Sequence, residues 1–390
     1  MKTTLENGVL TVYLAGRIDS TNAEQAGAEL DQAREQNPHE SIVLDADALE
    51  YISSAGLRVV LRTRKAEPTL KIINASSEVY DIFEMTGFTE MLPVEKAMRK
   101  MSVDGCKIIG QGAKGTVYRY NGDTIVKVYK NPDSLPDILN ERKLARRAFV
   151  LGIPTAISYD VVRVGESYGS VFELLDAKSY SQLIVEDPAN MEKYVGEYAE
   201  LLRKIHSTKV EPGDMRNIKP QILRWLSSAA KVLKPEQVEK LEKLINAVPE
   251  DLQMLHFDYH TNNVMSQNGE TLLIDMDTLS YGHPIFELAN VYITYVGFGV
   301  ADPSNVENFL GIPYETAKKI WEIFLPAYLG TEDAAKIADV EKKARLLCSL
   351  RMIHHTTKRK QEETEIGKKV IEAAVANVEE ILPTVEDLTF

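Results

Sequence analysis

Cysteine is nearly missing from this chain: Cys106 and Cys348 are the two among 390 residues. Two thiols cannot staple a chain this long, and a chain this long needs no staple, so a reducing compartment is expected. Long apolar runs are missing as well. No stretch approaches the roughly 20 apolar residues of a membrane span, and the start Met-Lys-Thr-Thr-Leu-Glu-Asn-Gly has no signal-peptide character. Positive charge is outweighed, with 45 Lys and Arg against 58 Asp and Glu, a formal charge of -13. That balance argues against nucleic acid and against an anionic membrane surface as partners. There is no internal repeat, no low-complexity tract and no Pro- or Ser-rich linker. A cytoplasmic globular protein of two or three domains is the expectation.

The first hundred residues alternate strands with helices. Leu10, Val12 and Leu14 alternate with Thr11 and Tyr13, which predicts a half-buried strand over Val9–Ala15. Asn22 is positioned to cap a helix carrying Ala23, Ala26, Leu30 and Ala33. Ser41–Asp45 is a short apolar run of the kind covered on both faces. A helix with Leu57, Val60 and Leu61, a strand over Leu70–Asn74 and a helix over Val79–Met85 follow, which together make a small α/β unit.

Gly16-Arg17-Ile18-Asp19, the strand Ile42–Asp45 and Tyr51-Ile-Ser-Ser-Ala-Gly-Leu57 together resemble the STAS domain of bacterial anti-sigma-factor antagonists, over residues 1–100. The resemblance implies a mixed sheet with helices and a protein partner. It also implies a phosphorylated serine at a helix start, here Ser54, that switches partner binding. A helix N-terminus accommodates phosphate through its free N–H groups and dipole. The plainer alternative is that Ser53 or Ser54 merely caps the helix. The acidic residue that often precedes the phosphorylated serine is Ser53 here.

Beyond residue 103 the polar residues become more specific. Gly110-Gln-Gly112-Ala-Lys-Gly115 lies between two apolar strands, and its glycines lead into a strand rather than a helix. That context suits a lid whose backbone amides approach phosphates, and excludes a dinucleotide fold. The strand Thr124–Tyr129 places Lys127 among apolar neighbours, where it needs an anion. Glu141 is the only glutamate of the basic helix Pro136–Leu151 and could reach that lysine; the alternative is a surface pairing with nearby arginines.

The stretch Leu255–Asp277 carries His256, Asp258 and Asn263, then a turn at Asn268-Gly269, then the strand Thr271–Ile274 ending on Asp275. A carboxylate to take a hydroxyl proton and oxygen ligands for Mg2+ are what phosphoryl transfer requires. Asp258 is the candidate for the first, Asn263 and Asp275 for the second. The bland alternative is a loop and hairpin with ordinary turn residues. His206, following an apolar helical stripe, reads as a packing or capping residue.

These residues stand in kinase order, and residues 104–390 resemble the aminoglycoside phosphotransferase and choline kinase branch of the protein-kinase-like fold. Phe257 stands where that branch usually has glycine, and Glu287-Leu288-Ala289 matches its acid-Leu-Ala helix. The resemblance implies an α+β bilobal domain, with an N-lobe over 104–175 and a large helical C-lobe over 176–390. It implies ATP and Mg2+ as cofactors, Lys127 on the α/β-phosphates and Glu141 fixing that lysine. It further places the lid Gly110, Gly112 and Gly115 over the phosphates and adenine against Glu173–Leu175, with His256 structural. No Ala-Pro-Glu segment or long activation loop follows Asp275, which favours a small-molecule hydroxyl acceptor. Two rivals stay open: a protein kinase acting on Ser54 of a STAS domain, and a nucleotide-sensing scaffold without catalysis.

Overall fold

The computed structural model describes residues 1–112 and 114–390. The chain gathers into two compact units, Met1–Ser102 with Val162–Glu166, and Val103–Val161 with Ser167–Phe390.

In the first unit, Val9–Ile18 buries Leu10, Val12 and Leu14 on one face, as strand alternation requires. It pairs antiparallel with Lys2–Glu6 and parallel with Ser41–Ile52, and Lys71–Ala75 and Val94–Lys96 extend the parallel side. The five-stranded sheet is therefore mixed. Ser41–Ile52 runs well past Asp45, because Ala46, Leu49 and Ile52 keep an inward face and register shifts accommodate its neighbour. Helices Ala23–Gln36, Ser54–Ala66 and Ser77–Met85 bury Leu30, Leu57, Val60, Val79 and Phe83. Full burial of each such side chain stabilises the unit by about 1.5–3 kcal/mol.

Two helix starts expected to be capped divide, one departing from simple side-chain capping and one keeping it. Asn22 occupies the N-cap position without capping through its side chain; its Oδ1 accepts the Asp19 N–H at 2.8 Å and its Nδ2 donates to the Arg17 carbonyl. The side chain is spent on closing the preceding turn. Ser53, not Ser54, caps the next helix, accepting from Ala55 N at 3.2 Å, and Ser54 is exposed at the first helical position.

The second unit begins with antiparallel strands Lys107–Gln111, Gly115–Arg119, Thr124–Tyr129 and Ser167–Glu173 in that neighbour order. Helix Leu135–Val150 buries Ile138, Glu141, Leu144, Ala145 and Ala148. A larger helical part follows, built around Ile285–Tyr295, which is buried along its whole length. A helix surrounded on every side must be apolar all round, and this one is, apart from Glu287, Asn290 and Thr294. Those exceptions sit beside the loop described next. Strands Val264–Gln267 and Glu270–Leu273 form a hairpin on Asn268-Gly269, both at positive φ, the geometry of a two-residue turn that matches strand twist. No described helix is long and apolar enough to cross a membrane.

Candidate active site

The loop from His256 to Asn263 is held from behind by one buried carboxylate. Glu287, fully buried, accepts the backbone N–H of His256 at 2.9 Å and of Phe257 at 2.6 Å. It also accepts His206 Nε2 at 2.8 Å, and His206 Nδ1 meets the Tyr328 hydroxyl at 2.7 Å. A buried charge is tolerable when several charge-assisted hydrogen bonds surround it. His206 is thus a member of this chain rather than a packing or capping residue, and its sequence neighbourhood gave no hint of a partner 81 positions away.

That clamp explains how phenylalanine can occupy a glycine position. Phe257 has φ of 66°, a left-handed conformation that costs a side-chain-bearing residue roughly 1–2 kcal/mol. Both its N–H and its carbonyl are pinned, the latter by Asn290 Nδ2 at 3.0 Å. Its ring stacks on Trp225 with centroids 5.8 Å apart. The turn leaves Asp258 with 45% of its side chain exposed. Burial works to raise its pKa, but His260, then His256 and Lys114, outweigh that and hold it below the ordinary carboxylate value. His260 Nε2 lies 3.8 Å from Asp258 Oδ1. His256 is wholly buried, its ring makes no hydrogen bond among the described residues, and it packs edge-on against Tyr259.

Asn263 donates Nδ2 to the Asp258 carbonyl at 3.0 Å, and its own carbonyl accepts Ile274 N at 2.9 Å. The loop is thereby tied to the strand end that presents Asp275, whose φ of 62° turns the chain sharply there. Across from it, Lys127 lies 3.3 Å from Glu141 Oε1 and 3.6 Å from Asp275 Oδ1. Burial pulls the lysine pKa down, but the two carboxylates more than offset it and raise it above its usual value. Glu141 also accepts the Tyr129 hydroxyl at 3.0 Å. The ion pair expected between Lys127 and Glu141 is present, and the rival pairing with arginines is not seen among the described residues.

Lys127, Glu141, Asn263 and Asp275 line one cavity of about 500 Å³, together with Gly110 and the segment Glu173–Leu175. Ile125, Leu174, Met265 and Ile274 supply its apolar walls. In the glycine loop, a Cβ on Gly115 would lie 2.5 Å from the Val128 carbonyl oxygen, so close strand packing demands glycine there. No such demand exists at Gly112, where a Cβ would meet nothing within 4 Å. Ala113 of the expected loop lies outside the described residues. Lys114 and Asp277, which the sequence reading passed over, contact each other.

Oxygen atoms of Glu141, Asp275 and Asp277 gather within 4.8 Å of one another. Asp275 Oδ1 and Asp277 Oδ1 are buried without a hydrogen-bond donor among the described residues. An all-oxygen set with orphaned carboxylate atoms fits a hard divalent cation such as Mg2+. Asp258 lines a second cavity of about 730 Å³ in the helical part.

The model of the phosphotransferase enzyme family matches residues 105–310, and that of the STAS domain matches residues 1–101. BtrV of Bordetella bronchiseptica, a candidate anti-sigma factor antagonist, is 40% identical over 100 residues, covering 24% of this chain and 85% of its own. The anti-sigma F factor antagonist of Paenibacillus polymyxa is 26% identical over 91 residues, 22% of this chain and 78% of its own. Among solved structures, ADP-bound aminoglycoside phosphotransferase APH(2'')-Ib is similar with a TM-score of 0.46 and 15% identity, covering 80% of this chain and 99% of its own. A choline/ethanolamine kinase family protein from Mesorhizobium loti reaches a TM-score of 0.46 at 15% identity, over 73% and 89% of the two chains. With a STAS domain at residues 1–101, the chain belongs to the phosphotransferase enzyme family.

Proposed function

We propose that residues 103–390 transfer the γ-phosphoryl group of ATP to the hydroxyl of a small molecule in a Mg2+-dependent reaction. One observation carries this reading: Lys127 lies within ion-pair reach of Glu141 and Asp275 in a cavity that Asn263 of the 256–263 loop also lines, while Asp258 of the same loop lines a second cavity. A nucleotide on one side and an acceptor on the other would meet at the loop. Adenine would lie between the apolar walls near Glu173–Leu175. Lys127, fixed by Glu141, would hold the α/β-phosphates, and the Gly110, Gly112 and Gly115 lid would cover them. Asp275 and Asn263 would hold Mg2+, with Asp277 within reach; bound there, the ion would supply positive charge against the phosphate oxygens. Asp258 would orient the acceptor hydroxyl and take its proton as the oxygen bonds to the γ-phosphorus and ADP departs.

The test is thermal unfolding with ATP, with and without Mg2+, followed by ADP release in the presence of candidate alcohols. Nucleotide at 100 times its dissociation constant stabilises by about 2.7 kcal/mol. Absence of any Mg2+-dependent stabilisation would remove this reading. For residues 1–102 the reading is a protein-binding module with Ser54, exposed at a helix start, as its phosphorylated residue. Mass spectrometry after incubation with ATP and Mg2+ separates the rivals: phosphate arriving on Ser54 of wild type, and lost in Ser54→Ala, would favour a protein kinase over a small-molecule enzyme.

A further inference from the structure

The cavity beside Asp258 holds two arginines that no carboxylate pairs among the described residues. Its charge-bearing side chains are Asp258, Arg351, His355, Arg359 and Glu365. Glu365 is already engaged by Lys369 at 2.9 Å. Asp258 is the carboxylate that must serve the hydroxyl. Neither arginine forms an ion pair among the described residues. Arg351 lies with its guanidinium 5.0 Å from the centre of the Trp225 ring, a contact that fixes the plane of the group. Its Nε is buried without a hydrogen-bond acceptor among the described residues.

A half-buried guanidinium of this kind is costly unless an anion meets it. Burial pulls the Arg351 pKa down, and Asp258 opposes that pull. The neighbouring His355 is pushed down to about 4 by burial and by Arg359 and Arg351, so at neutral pH it offers a hydrogen bond without adding charge. Phe298 and Phe309 give the same cavity an apolar wall.

We propose that the acceptor is a hydroxyl compound bearing a carboxylate or phosphate group, its anion seated on Arg351 and Arg359 and its hydroxyl at Asp258. This rests on the phosphotransferase reading above. The acceptor oxygen bonds to the γ-phosphorus as the bond from that phosphorus to the β,γ-bridging oxygen breaks. ADP leaves and the hydroxyl proton passes to Asp258. Planar guanidinium groups suit carboxylate and phosphate oxygens through paired N–H donors. A polyamine or quaternary ammonium compound would instead face two arginines with a single uncommitted carboxylate.

The experiment measures ADP release from ATP–Mg2+ by the full chain with three sets of alcohols at equal concentration. The acidic set is D-glycerate, gluconate and glycerol 3-phosphate; the neutral set is glycerol, ribose and myo-inositol; the cationic set is choline, ethanolamine and kanamycin. Stimulation by the acidic set above the other two supports the proposal, and glycerate against glycerol 3-phosphate tells carboxylate from phosphate. Arg359→Gln, at an exposed position, should raise KM for the active acid by about tenfold or more, the worth of a charge-assisted hydrogen bond, with kcat changed far less. Mg2+-dependent thermal stabilisation by ATP, retained in that variant, shows that it is folded and binds nucleotide. Greater stimulation by the neutral or cationic set, no stimulation by any set, or an unchanged KM in Arg359→Gln each overturns the proposal. Loss of ATP–Mg2+ stabilisation in wild type overturns the phosphotransferase reading itself.

Discussion

Two cavities are lined in part by the 256–263 loop, and they are built on different plans. The first, about 500 Å³, takes its polar groups mainly from the sheet and the loop, with one helical residue: Lys127 on Thr124–Tyr129, Asn263 on the loop, Asp275 after a hairpin and Glu141 on Leu135–Val150. The second, about 730 Å³, takes its polar groups from helices distant in sequence, with Arg351 and His355 on Ala334–Lys358 and Glu365 opening the last long helix. Sheets and hairpins fix side chains at short sequence spacing, so the first plan leaves a pattern that spacing alone can reveal. Helix packing joins residues at no particular spacing, so the second leaves none. The difference teaches where a substrate can change without disturbing the chemistry, because the helices that supply Arg351, His355 and Glu365 lie outside the loop that carries Asp258.

The largest expected effect breaks the division at the point between the cavities. Asp258→Asn should lower turnover by roughly 10²–10⁴-fold, the usual worth of a positioned acid–base group. ATP affinity should change little, since Asp258 lines the other cavity. Its pKa is held below the ordinary carboxylate value, so the carboxylate stays ionised as pH falls. The acid limb of the wild-type pH–kcat/KM profile should therefore lie below that value too. Near-normal turnover in the variant, with nucleotide still bound, would mean that another group accepts the proton.

Next in size is a variant confined to the first cavity. Asp275→Asn should cost on the order of 10–100-fold in Mg2+-dependent ATP affinity, at least what loss of a supporting metal-site partner costs. The fold should survive, because Lys127 keeps Glu141 at 3.3 Å when the Asp275 charge is removed. Calorimetric titration of ATP at several Mg2+ concentrations reads this directly, and an unchanged Mg2+ dependence would take Asp275 out of the metal site.

How much of this was legible follows the same division. Thr124–Tyr129 was expected with the bounds it has, because an apolar run broken by one lysine has few other uses in a sheet. The helical stretch carrying Glu141 and the hairpin leading to Asp275 were visible for similar reasons of local pattern. Glu287 was visible as a motif residue, yet what it does was not. Its partners are two backbone N–H groups 30 and 31 positions earlier and a histidine 81 positions earlier. His206 was misread because a lone histidine on an apolar stripe carries no trace of the carboxylate it will meet. Arg351 is one of several basic residues on a long helix, and only packing against Trp225 distinguishes it. Asn22 shows the reverse failure, a cap residue whose side chain is used by the turn before it.

The smallest effect separates what belongs to one cavity from what belongs to both. Phe257 lines the second cavity, whereas its backbone conformation sets the loop that both cavities share. Replacing the ring with either alanine or glycine removes the stacking on Trp225, and loss of a buried phenylalanine costs about 3–5 kcal/mol. The two variants should differ only through the backbone. At ordinary sites glycine is less stable than alanine by roughly 0.5–1 kcal/mol because the unfolded chain gains freedom. At φ of 66° the order should reverse, because alanine pays roughly 1–2 kcal/mol for the left-handed conformation and glycine pays nothing. Phe257→Gly should therefore be the more stable by up to about 1 kcal/mol in denaturant unfolding, with the same ATP affinity as Phe257→Ala. If alanine proves equal or better, the turn at Phe257 is not held left-handed in solution, and Glu287 does not shape the loop in the way its hydrogen bonds indicate.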